Sequence, residues 1–417
     1  MSVAFLVLLW VVAVPVGYLV LLALAAIPSR GTRPSQQPRS RFAITIPAHD
    51  EESVIGRTVT ALSRMNYPRD LFDVFVVADH CRDGTASVAR DAGAIVYERD
   101  ESPAGSKGHA LRWLHHRLLD PAGGPGGRPY DAVVVFDADT LVDPAFLGVM
   151  DACLERGDQV IQGQHRIVNP EDGLIPALTW AMFIVDNRLQ NQGRSNLGWS
   201  AKNMGDSICF RADLLRRLSL AGGLTEDYAF RQQLLLEAVR IRYEPAAIGY
   251  GEAALTLRSA RSQRARWLKG ARDADRRHAR ALLNESLRRR DLSLLDGALQ
   301  AYLPAYSTLT LVSSLVWLLC VGLAWMGRLP FPRGWSVMLV LLLVYPFWGL
   351  ALERAPARAY VALLAGPLFI FWRTWLAISA RLAPDRVSWV RTPRRNSPPE
   401  PSADDSPDAI SQRGPKL

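Results

Sequence analysis

The most informative stretch of the chain is Ala-Val-Val-Val-Phe-Asp-Ala-Asp, at residues 132–139. A short apolar run that is rich in valine is typical of a buried strand in a parallel sheet. Asp137 and Asp139 stand at positions i and i+2, so both carboxylates lie on one side of the chain at the carboxyl end of this strand. Open α/β sheets bind ligands at that end, where two carboxylates can share a divalent cation with phosphate oxygens. The alternative is a pair of turn or helix-capping aspartates before Pro144.

Three more apolar runs precede this one, and amphipathic segments separate them. The predicted strands are Phe42–Pro47, Phe72–Ala78, Ala94–Tyr97 and Ala132–Phe136. The predicted helices are Glu52–Met65, Thr85–Ala92, Gly105–Leu119 and Asp143–Leu154. This alternation indicates an α/β domain built on a doubly wound, mostly parallel sheet. We place the domain at residues 42–258, after a polar linker at residues 29–41.

Polar side chains follow each of the four predicted strands. They are Asp50 and Glu51 after the first strand, Asp79 and Asp83 after the second, Lys107 after the third, and Asp137 and Asp139 after the fourth. Any one of these clusters is compatible with ordinary turn and capping chemistry. Because the carboxyl ends of parallel strands meet at one edge, four clusters there indicate a functional site.

The bulk composition limits the possible partners. The chain has 417 residues, a formal charge of +9 and an apolar content of 49%. Excess arginine beside apolar segments indicates an anionic membrane surface or a phosphorylated substrate. The chain has no motif typical of nucleic-acid binding, so we expect no nucleic-acid partner. The four cysteines are scattered without metal-ligand spacing, which indicates reduced thiols.

Three segments are apolar enough to predict membrane spans: Val3–Ile27, Leu303–Met326 and Trp335–Leu352. Arginines at positions 30, 33, 39 and 41 follow the first span, so we expect an external N-terminus and a cytoplasmic catalytic domain at the inner or plasma membrane. The membrane regions are then residues 1–28 and 301–380. Between them, residues 259–300 predict amphipathic helices on the cytoplasmic leaflet. Residues 381–417 predict a basic and then disordered tail.

A fourth apolar segment, Val361–Ile378, contains Arg373 and Pro367. The arginines that follow it should be cytoplasmic, which requires an odd number of spans. We therefore expect three spans and a re-entrant or interfacial segment here. Four spans with an external tail is the alternative.

Four motifs follow one another along the chain. They are Asp79, then Asp137 with Asp139, then Thr225-Glu226-Asp227, then Gln263-Arg264-Ala265-Arg266-Trp267. In this respect the chain resembles membrane-integrated family 2 glycosyltransferases of the GT-A fold, such as cellulose, hyaluronan and poly-N-acetylglucosamine synthases. The resemblance covers roughly residues 43–267 and the flanking apolar helices. Asp50 stands where the family motif has asparagine, which leaves the base of the nucleotide open.

The resemblance implies roles for individual residues. Asp137 and Asp139 would bind Mg²⁺ or Mn²⁺, and Asp227 would be the catalytic base. The donor-binding residues would be Pro47, Glu51, Asp79, Asp83, Lys107, Asp137, Gln263, Arg264 and Arg266. The acceptor-binding residues would be Gly205, Glu226 and Trp267. A metal and basic side chains would neutralise charge on the departing phosphate, and one carboxylate would suffice for a single displacement.

The resulting hypothesis is an inverting, metal-dependent transferase. It would move a sugar from a nucleotide-sugar, such as a UDP-hexose or UDP-N-acetylhexosamine, to a hydroxyl of a growing β-linked polysaccharide or other glycan. The main alternative is a single addition to a lipid or polyprenyl phosphate. A non-catalytic scaffold and a nucleotidyltransferase are two further alternatives. We expect contact with membrane lipids, and an oligomer or an export partner if the product is extruded.

Overall fold

A computed structural model describes residues 3–102, 106–120, 128–218 and 226–382 of the chain. The strands are β1 (Phe42–Ala48), β2 (Phe72–Asp79), β3 (Ile95–Arg99), β4 (Ala132–Val135), β5 (Leu141–Val142), β6 (Val160–Ile167), β7 (Ile208–Arg211) and β8 (Ile241–Gly251). The helices up to the end of the sheet are α1 (Val3–Ala25), α2 (Glu52–Leu62), α3 (Thr85–Asp91), α4 (Lys107–Leu118), α5 (Phe146–Glu155), α6 (Leu174–Val185), α7 (Gln192–Asn196), α8 (Ala212–Arg217) and α9 (Glu226–Leu236). The later helices are α10 (Leu257–Arg289), α11 (Leu292–Tyr302), α12 (Tyr306–Trp325), α13 (Arg333–Leu352), α14 (Ala357–Leu364) and α15 (Gly366–Leu382). A π-helical segment, Asp186–Asn191, joins α6 to α7.

The strands form one mixed sheet in the order β3-β2-β1-β4-β7-β6-β8-β5. The four predicted strands are β1 to β4, and they pair in parallel as expected. Strand β6 also pairs in parallel with β8, so most strands run in one direction, whereas β7 pairs antiparallel with both β4 and β6, and β5 pairs antiparallel with β8. The apolar pattern of a short strand such as Ile208–Arg211 predicts burial but not direction. Its orientation is set by the path of the chain through α6 and α7.

Helices cover both faces of the sheet, which confirms the α/β architecture. Alternate residues of β2 enter opposite cores: Val74 and Val76 pack with α2 and α5, whereas Phe75 and Val77 pack with α4 and α9. This period of two is the reason why the apolar runs are continuous in sequence. The carboxyl ends of β1, β2 and β4 therefore share one edge.

Within the described part of the chain, α12 and α13 are the helices long and apolar enough to cross a membrane by length and composition. A shorter apolar stretch, Leu9–Ala25, belongs to α1. Val12 and Val16 of α1 pack against Trp335 and Leu342 of α13 in one apolar cluster. The segment predicted at Val361–Ile378 is broken into α14 and α15. The three-span topology stays a prediction.

The predicted amphipathic segment is one long helix, α10. Thr256 caps its N-terminus by accepting a hydrogen bond from the Ser259 amide at 3.2 Å. Arg290 ends it in the left-handed conformation, with φ of 54°. Asp291 then caps α11. Helix α10 packs against α9 and α11 as well as α15, so it connects the α/β domain with the last described helix.

A buried charge cluster joins the α/β domain to the first helix. Asp296 of α11 accepts hydrogen bonds from the Arg194 Nε of α7 at 3.1 Å and from the Arg231 Nη2 of α9 at 3.2 Å. Tyr18 of α1 donates to the Asp296 Oδ1 at 2.6 Å and accepts from Arg194 at the same distance. The side chains of Asp296 and Arg231 have no solvent-exposed surface, and that of Arg194 is 1% exposed. Four separate elements therefore meet at one carboxylate.

We predict that Asp296→Asn lowers the free energy of unfolding by about 3–5 kcal/mol, because it leaves two buried guanidinium groups without a counter-charge. Thermal unfolding of the detergent-solubilised protein measures the effect. The matched control is Glu98→Gln, which breaks the exposed pair with Arg90 and should cost less than about 1 kcal/mol. Equal losses from both variants would contradict the prediction.

Candidate active site

The centre of the site is an ion pair between Lys107 and Asp137. Lys107 begins α4, and its ammonium contacts the Asp137 carboxylate directly after β4. The same ammonium donates a hydrogen bond to the carbonyl oxygen of Gly205 at 2.7 Å. The structure thus brings together three of the predicted site residues, from different parts of the chain.

Asp206 fixes the turn that carries Asp137 and Asp139. Its Oδ1 accepts hydrogen bonds from the Asp137 amide at 3.0 Å and from the Thr140 hydroxyl at 3.1 Å. Its Oδ2 accepts from the Nδ1 of His165 at 2.7 Å. Burial raises the pKa of Asp206, but the hydrogen bond and charge of His165 outweigh this and hold the pKa below its usual value. The pair therefore favours a charged Asp206 beneath the acidic turn.

Asp227 lies directly beside Gly205. Gly205 has a φ of +79°, and a Cβ atom built on it would stand 2.9 Å from the Asp227 Oδ2. The other oxygen of Asp227 accepts a hydrogen bond from the Tyr228 amide at 2.8 Å. Burial raises the pKa of Asp227, whereas the Tyr228 amide and Lys107 lower it to a smaller extent. A carboxylate with a raised pKa is suited to accept a proton, which is the predicted role of Asp227.

The acidic turn has a donor set suited to a hard divalent cation. Asp137 and Asp139 offer carboxylate oxygens, the ligands that Mg²⁺ and Mn²⁺ prefer. Asp139 is only 7% exposed, which limits competition from water. Asp137 is already oriented by Asp206 and faces the ammonium of Lys107. These residues fit the predicted metal, and Asp137 and Asp139 would be the residues that hold it.

The predicted nucleotide-binding residues lie along the ends of β1 and β2. The Asp79 carboxylate forms a buried ion pair with Arg99 at the end of β3, and it also accepts from the Nδ1 of His80 at 3.1 Å. Its carbonyl oxygen accepts from the Nδ1 of His49 at 2.7 Å. Asp79 is therefore held in one orientation at the sheet edge.

Asp83 lies in the turn before α3, where its Oδ1 accepts a hydrogen bond from the Thr85 amide at 3.0 Å. The Thr85 hydroxyl in turn accepts from the Glu51 amide at 2.8 Å, which ties the loops after β1 and β2 together. Glu51 is 9% exposed, and Pro47 lies within β1. The structure brings these predicted residues to one edge, and their contacts with a nucleotide stay a prediction.

One further acidic group lies in these loops. Ligand atoms of Asp50, Cys81 and Asp83 lie within 4.8 Å of one another. Both carboxylates already accept backbone hydrogen bonds, including the one from the Arg82 amide to Asp50 at 2.7 Å. Turn chemistry accounts for this group.

The segment Gln263–Trp267 lies near the start of α10. Trp267 is 38% exposed, and Gln263 and Arg266 are half-buried. Further along the same helix, Asp275 accepts hydrogen bonds from the Tyr228 hydroxyl at 3.0 Å and from Gln232 at 2.8 Å. Helix α10 therefore reaches the neighbourhood of Asp227 through Asp275.

Arg264 contacts α6 and α15. Its Nη2 donates to the Thr179 hydroxyl at 3.1 Å, and its guanidinium carbon lies 4.5 Å from the ring centre of Phe369 and 5.3 Å from that of Trp372. These contacts differ from those of Lys107, which lies among the carboxylates. The side chain of Glu226 lies outside the described part of the chain.

Three residues that shape the site have no role predicted from the sequence: Asp206, His165 and Arg99. Asp206 follows Gly205, which the resemblance assigns to acceptor binding, and this adjacency was a usable signal. Arg99 ends β3 at the same edge as Asp79, and its position in the sequence was also a usable signal. His165 had no local signal, because its partner is 41 residues away in the chain.

The chain is similar to several known proteins. The chain is 25% identical over 252 residues to a probable glycosyltransferase of Bacillus subtilis, YdaM, and the match covers 57% of each chain. Its fold resembles the mannosyltransferase PcManGT of Pyrobaculum calidifontis, solved with GDP-mannose and Mn²⁺, at a TM-score of 0.50 and 17% identity over 82% of this chain and 99% of that one. It is also similar to residues 1–349 of Staphylococcus aureus TarS, solved with UDP-GlcNAc, at a TM-score of 0.42 and 16% identity over 82% of this chain and 92% of that one.

The family itself follows from a longer match. Residues 38–270, more than half of the chain, match the family described as "Glycosyltransferase like family 2". This range contains every described strand of the sheet, together with Asp79, Asp137, Asp139 and Asp227. The chain therefore belongs to glycosyltransferase family 2.

Proposed function

We propose that this protein is an inverting, metal-dependent transferase that moves a sugar from a nucleotide-sugar to an acceptor hydroxyl. The observation that carries the proposal is the position of Asp227, which is packed on Gly205 beside the Lys107–Asp137 ion pair. Asp227 as the proposed base, the ammonium of Lys107 and the turn that carries Asp137 and Asp139 therefore lie at one edge of the sheet. These are the groups that a displacement at an anomeric carbon requires.

In this proposal Asp227 accepts the proton of the attacking hydroxyl. The raised pKa of Asp227, which results mainly from burial, makes it a stronger base than an exposed aspartate. One base and one direct displacement give inversion, so an α-linked donor yields a β-linked product. The proposed reaction is a single displacement, so it does not need the second carboxylate that a double displacement uses.

Lys107 neutralises negative charge that develops on the leaving phosphate, and Arg266 of α10 is proposed to assist. A divalent cation at Asp137 and Asp139 would stabilise the same charge as a Lewis acid. Asp79 and Asp83 are proposed to orient the nucleoside of the donor. The GDP-mannose and Mn²⁺ of the Pyrobaculum structure are consistent with this donor class and this metal.

The apolar helices support a location at the membrane. Side chains of α12 and α13 such as Leu315, Leu319, Val340 and Leu343 are at least half exposed. Such surfaces are stable in lipid rather than in water. We propose a cytoplasmic active site beside the membrane, where the acceptor is a growing β-linked glycan or another membrane-bound acceptor.

One prediction concerns turnover of the nucleotide-sugar. The protein in lipid nanodiscs with Mn²⁺ or Mg²⁺ should release a nucleoside diphosphate from one member of a UDP- and GDP-sugar panel. Asp227→Asn should lower kcat by about 10²- to 10⁴-fold with unchanged donor affinity, because a general base contributes that much. Asp139→Asn should instead weaken Mn²⁺-dependent donor binding, measured by calorimetry.

Each of these two variants is the control for the other, because Asp227→Asn should change kcat whereas Asp139→Asn should change donor binding. Loss of donor binding in Asp227→Asn, with turnover retained in Asp139→Asn, would reverse the assignment. Failure of every donor to bind would overturn the proposed function. Glu98→Gln, which alters an exposed ion pair, should leave both quantities unchanged.

A further prediction concerns Gly205. Gly205→Ala should lower kcat by about 10²-fold, because the new methyl group displaces Asp227 and small misplacements of a catalytic group have effects of that size. Gly198→Ala is the matched control, since Gly198 also has a positive φ, of +71°, but its Cβ would be 3.9 Å from Arg240. Both variants bear similar backbone strain. A similar kcat in the two variants would contradict the prediction.

A further inference from the structure

Asp206 is a buried carboxylate whose two oxygens each accept two hydrogen bonds from the protein. Its Oδ1 accepts from the Asp137 amide at 3.0 Å and from the Thr140 hydroxyl at 3.1 Å. Its Oδ2 accepts from the Nδ1 of His165 at 2.7 Å and from the Ser207 hydroxyl at 3.1 Å. The side chain of Asp206 is only 4% exposed. Because both oxygens are engaged by the protein, Asp206 is suited to orient the acidic turn rather than to bind a ligand itself.

The ring of His165 is enclosed by residues of three other elements. The ring of Phe183, in α6, has its centre 5.2 Å from that of His165. Gly251 ends β8, and a Cβ atom built on it would stand 2.5 Å from the Cε1 and 2.7 Å from the Nε2 of His165. Asn187 of the π-helical segment donates to the carbonyl oxygen of His165 at 2.8 Å. In such close packing the ring has little freedom to turn away from Asp206.

Strand β8 has glycines at two alternate positions, Gly249 and Gly251, and both lie against this group. A Cβ atom on Gly249 would stand 1.9 Å from the Oγ of Ser207, so no other residue type fits there without displacing that hydroxyl. Residues at i and i+2 share one face of a strand. Glycine weakens the interior of a strand, and it often marks a place where another group approaches the backbone closely. This face of β8 therefore makes room for the two side chains that donate to the Oδ2 of Asp206.

Gln162 of β6 holds the backbone on both sides of Gly205. Its Nε2 donates to the carbonyl oxygen of Asp206 at 2.8 Å, and its Oε1 accepts from the Met204 amide at 2.9 Å. Gln162 has no solvent-exposed surface. The carbonyl oxygen of Gly205 accepts from the ammonium of Lys107 at 2.7 Å. This short segment therefore contacts the acidic turn through one side chain and Lys107 through one carbonyl group.

We propose that His165 and Asp206 are positioning residues that set the metal affinity of the acidic turn. This inference rests on the proposed function, which assigns a divalent cation to Asp137 and Asp139. Asp206 holds the backbone and the hydroxyl of the turn that carries both ligands, and His165 holds Asp206 in the orientation that does so. Partners that orient metal ligands in this way change metal affinity by about 10- to 100-fold when they are removed.

The test measures Mn²⁺ binding by the full-length protein in nanodiscs, without any sugar donor. Free Mn²⁺ is followed by its electron paramagnetic resonance signal during a titration, with and without added UDP or GDP. His165→Phe keeps an aromatic ring but has no Nδ1–H donor, so we expect it to weaken Mn²⁺ binding by about 10- to 100-fold. His165→Asn presents an amide N–H in place of the ring Nδ1–H and should restore most of the affinity.

The matched control is His115→Phe. His115 is another buried histidine of the α/β domain, and its Nε2 is hydrogen-bonded to the Thr45 hydroxyl at 3.2 Å. The same substitution there removes a buried hydrogen bond without touching the acidic turn, so the affinity for Mn²⁺ should equal that of the native protein. Thermal unfolding shows whether each variant is folded. If His165→Phe is unfolded, Gly251→Ala carries the test, because its methyl group displaces the ring of His165 and should weaken Mn²⁺ binding similarly.

Unchanged affinity for Mn²⁺ in folded His165→Phe and Gly251→Ala would overturn the proposal. An equal loss in His115→Phe, or no recovery in His165→Asn, would also overturn it, because the effect would then be one of general stability. The same holds if the native protein binds no Mn²⁺ with or without UDP or GDP. The transferase function is scored separately: if no donor releases a nucleoside diphosphate while Mn²⁺ binding follows the expected pattern, the function fails and the positioning role is supported.

Discussion

The carboxylate of Asp296 holds the α/β domain and the first apolar helix, α1, in one arrangement. Taking one carboxylate and two guanidinium groups out of water costs several kcal/mol per ion, and only close hydrogen-bonded pairing offsets it. Such a cluster tolerates little displacement of its members. Because they come from α1, α7, α9 and α11, the positions of these helices are fixed together.

This constraint reaches the candidate active site through α9. Arg231 stands four residues after Asp227, so the two lie on the same face of α9, one turn apart. Arg231 also donates to the carbonyl oxygens of Ser200 and Ala201, in the loop that leads to Gly205. On its other side, α9 is held by Asp275 of α10 through Tyr228. Asp227 and the glycine it packs against are therefore positioned by the same buried arginine.

Local sequence signals predicted the parts of the fold that depend on local physics. The strands β1 to β4, and helices α2 to α5 within a few residues, follow from apolar runs and amphipathic periodicity, and the acidic residues at the sheet edge follow from strand direction. The antiparallel β7 was not predictable, since pairing direction depends on distant segments. The same holds for His165 of β6 and Asp206, which stands two residues before β7, because the two meet only in the folded chain.

Residues of the motif Gln263–Trp267, in the long helix α10, contact different parts of the molecule, as the contacts of Arg264 show. Arg264 and Asp275 are 11 residues apart in α10, which separates them by about 16 Å along the helix axis. Asp275 contacts α9 beside Asp227, so Arg264 contacts a different part of the molecule, where α6 and α15 meet. Neighbouring positions of the motif point to different sides of the helix, and Arg266 is half-buried where Arg264 is enclosed. Sequence spacing alone therefore assigns both arginines to the donor phosphate, whereas burial, aromatic contacts and the charge of Arg373 separate their chemistry.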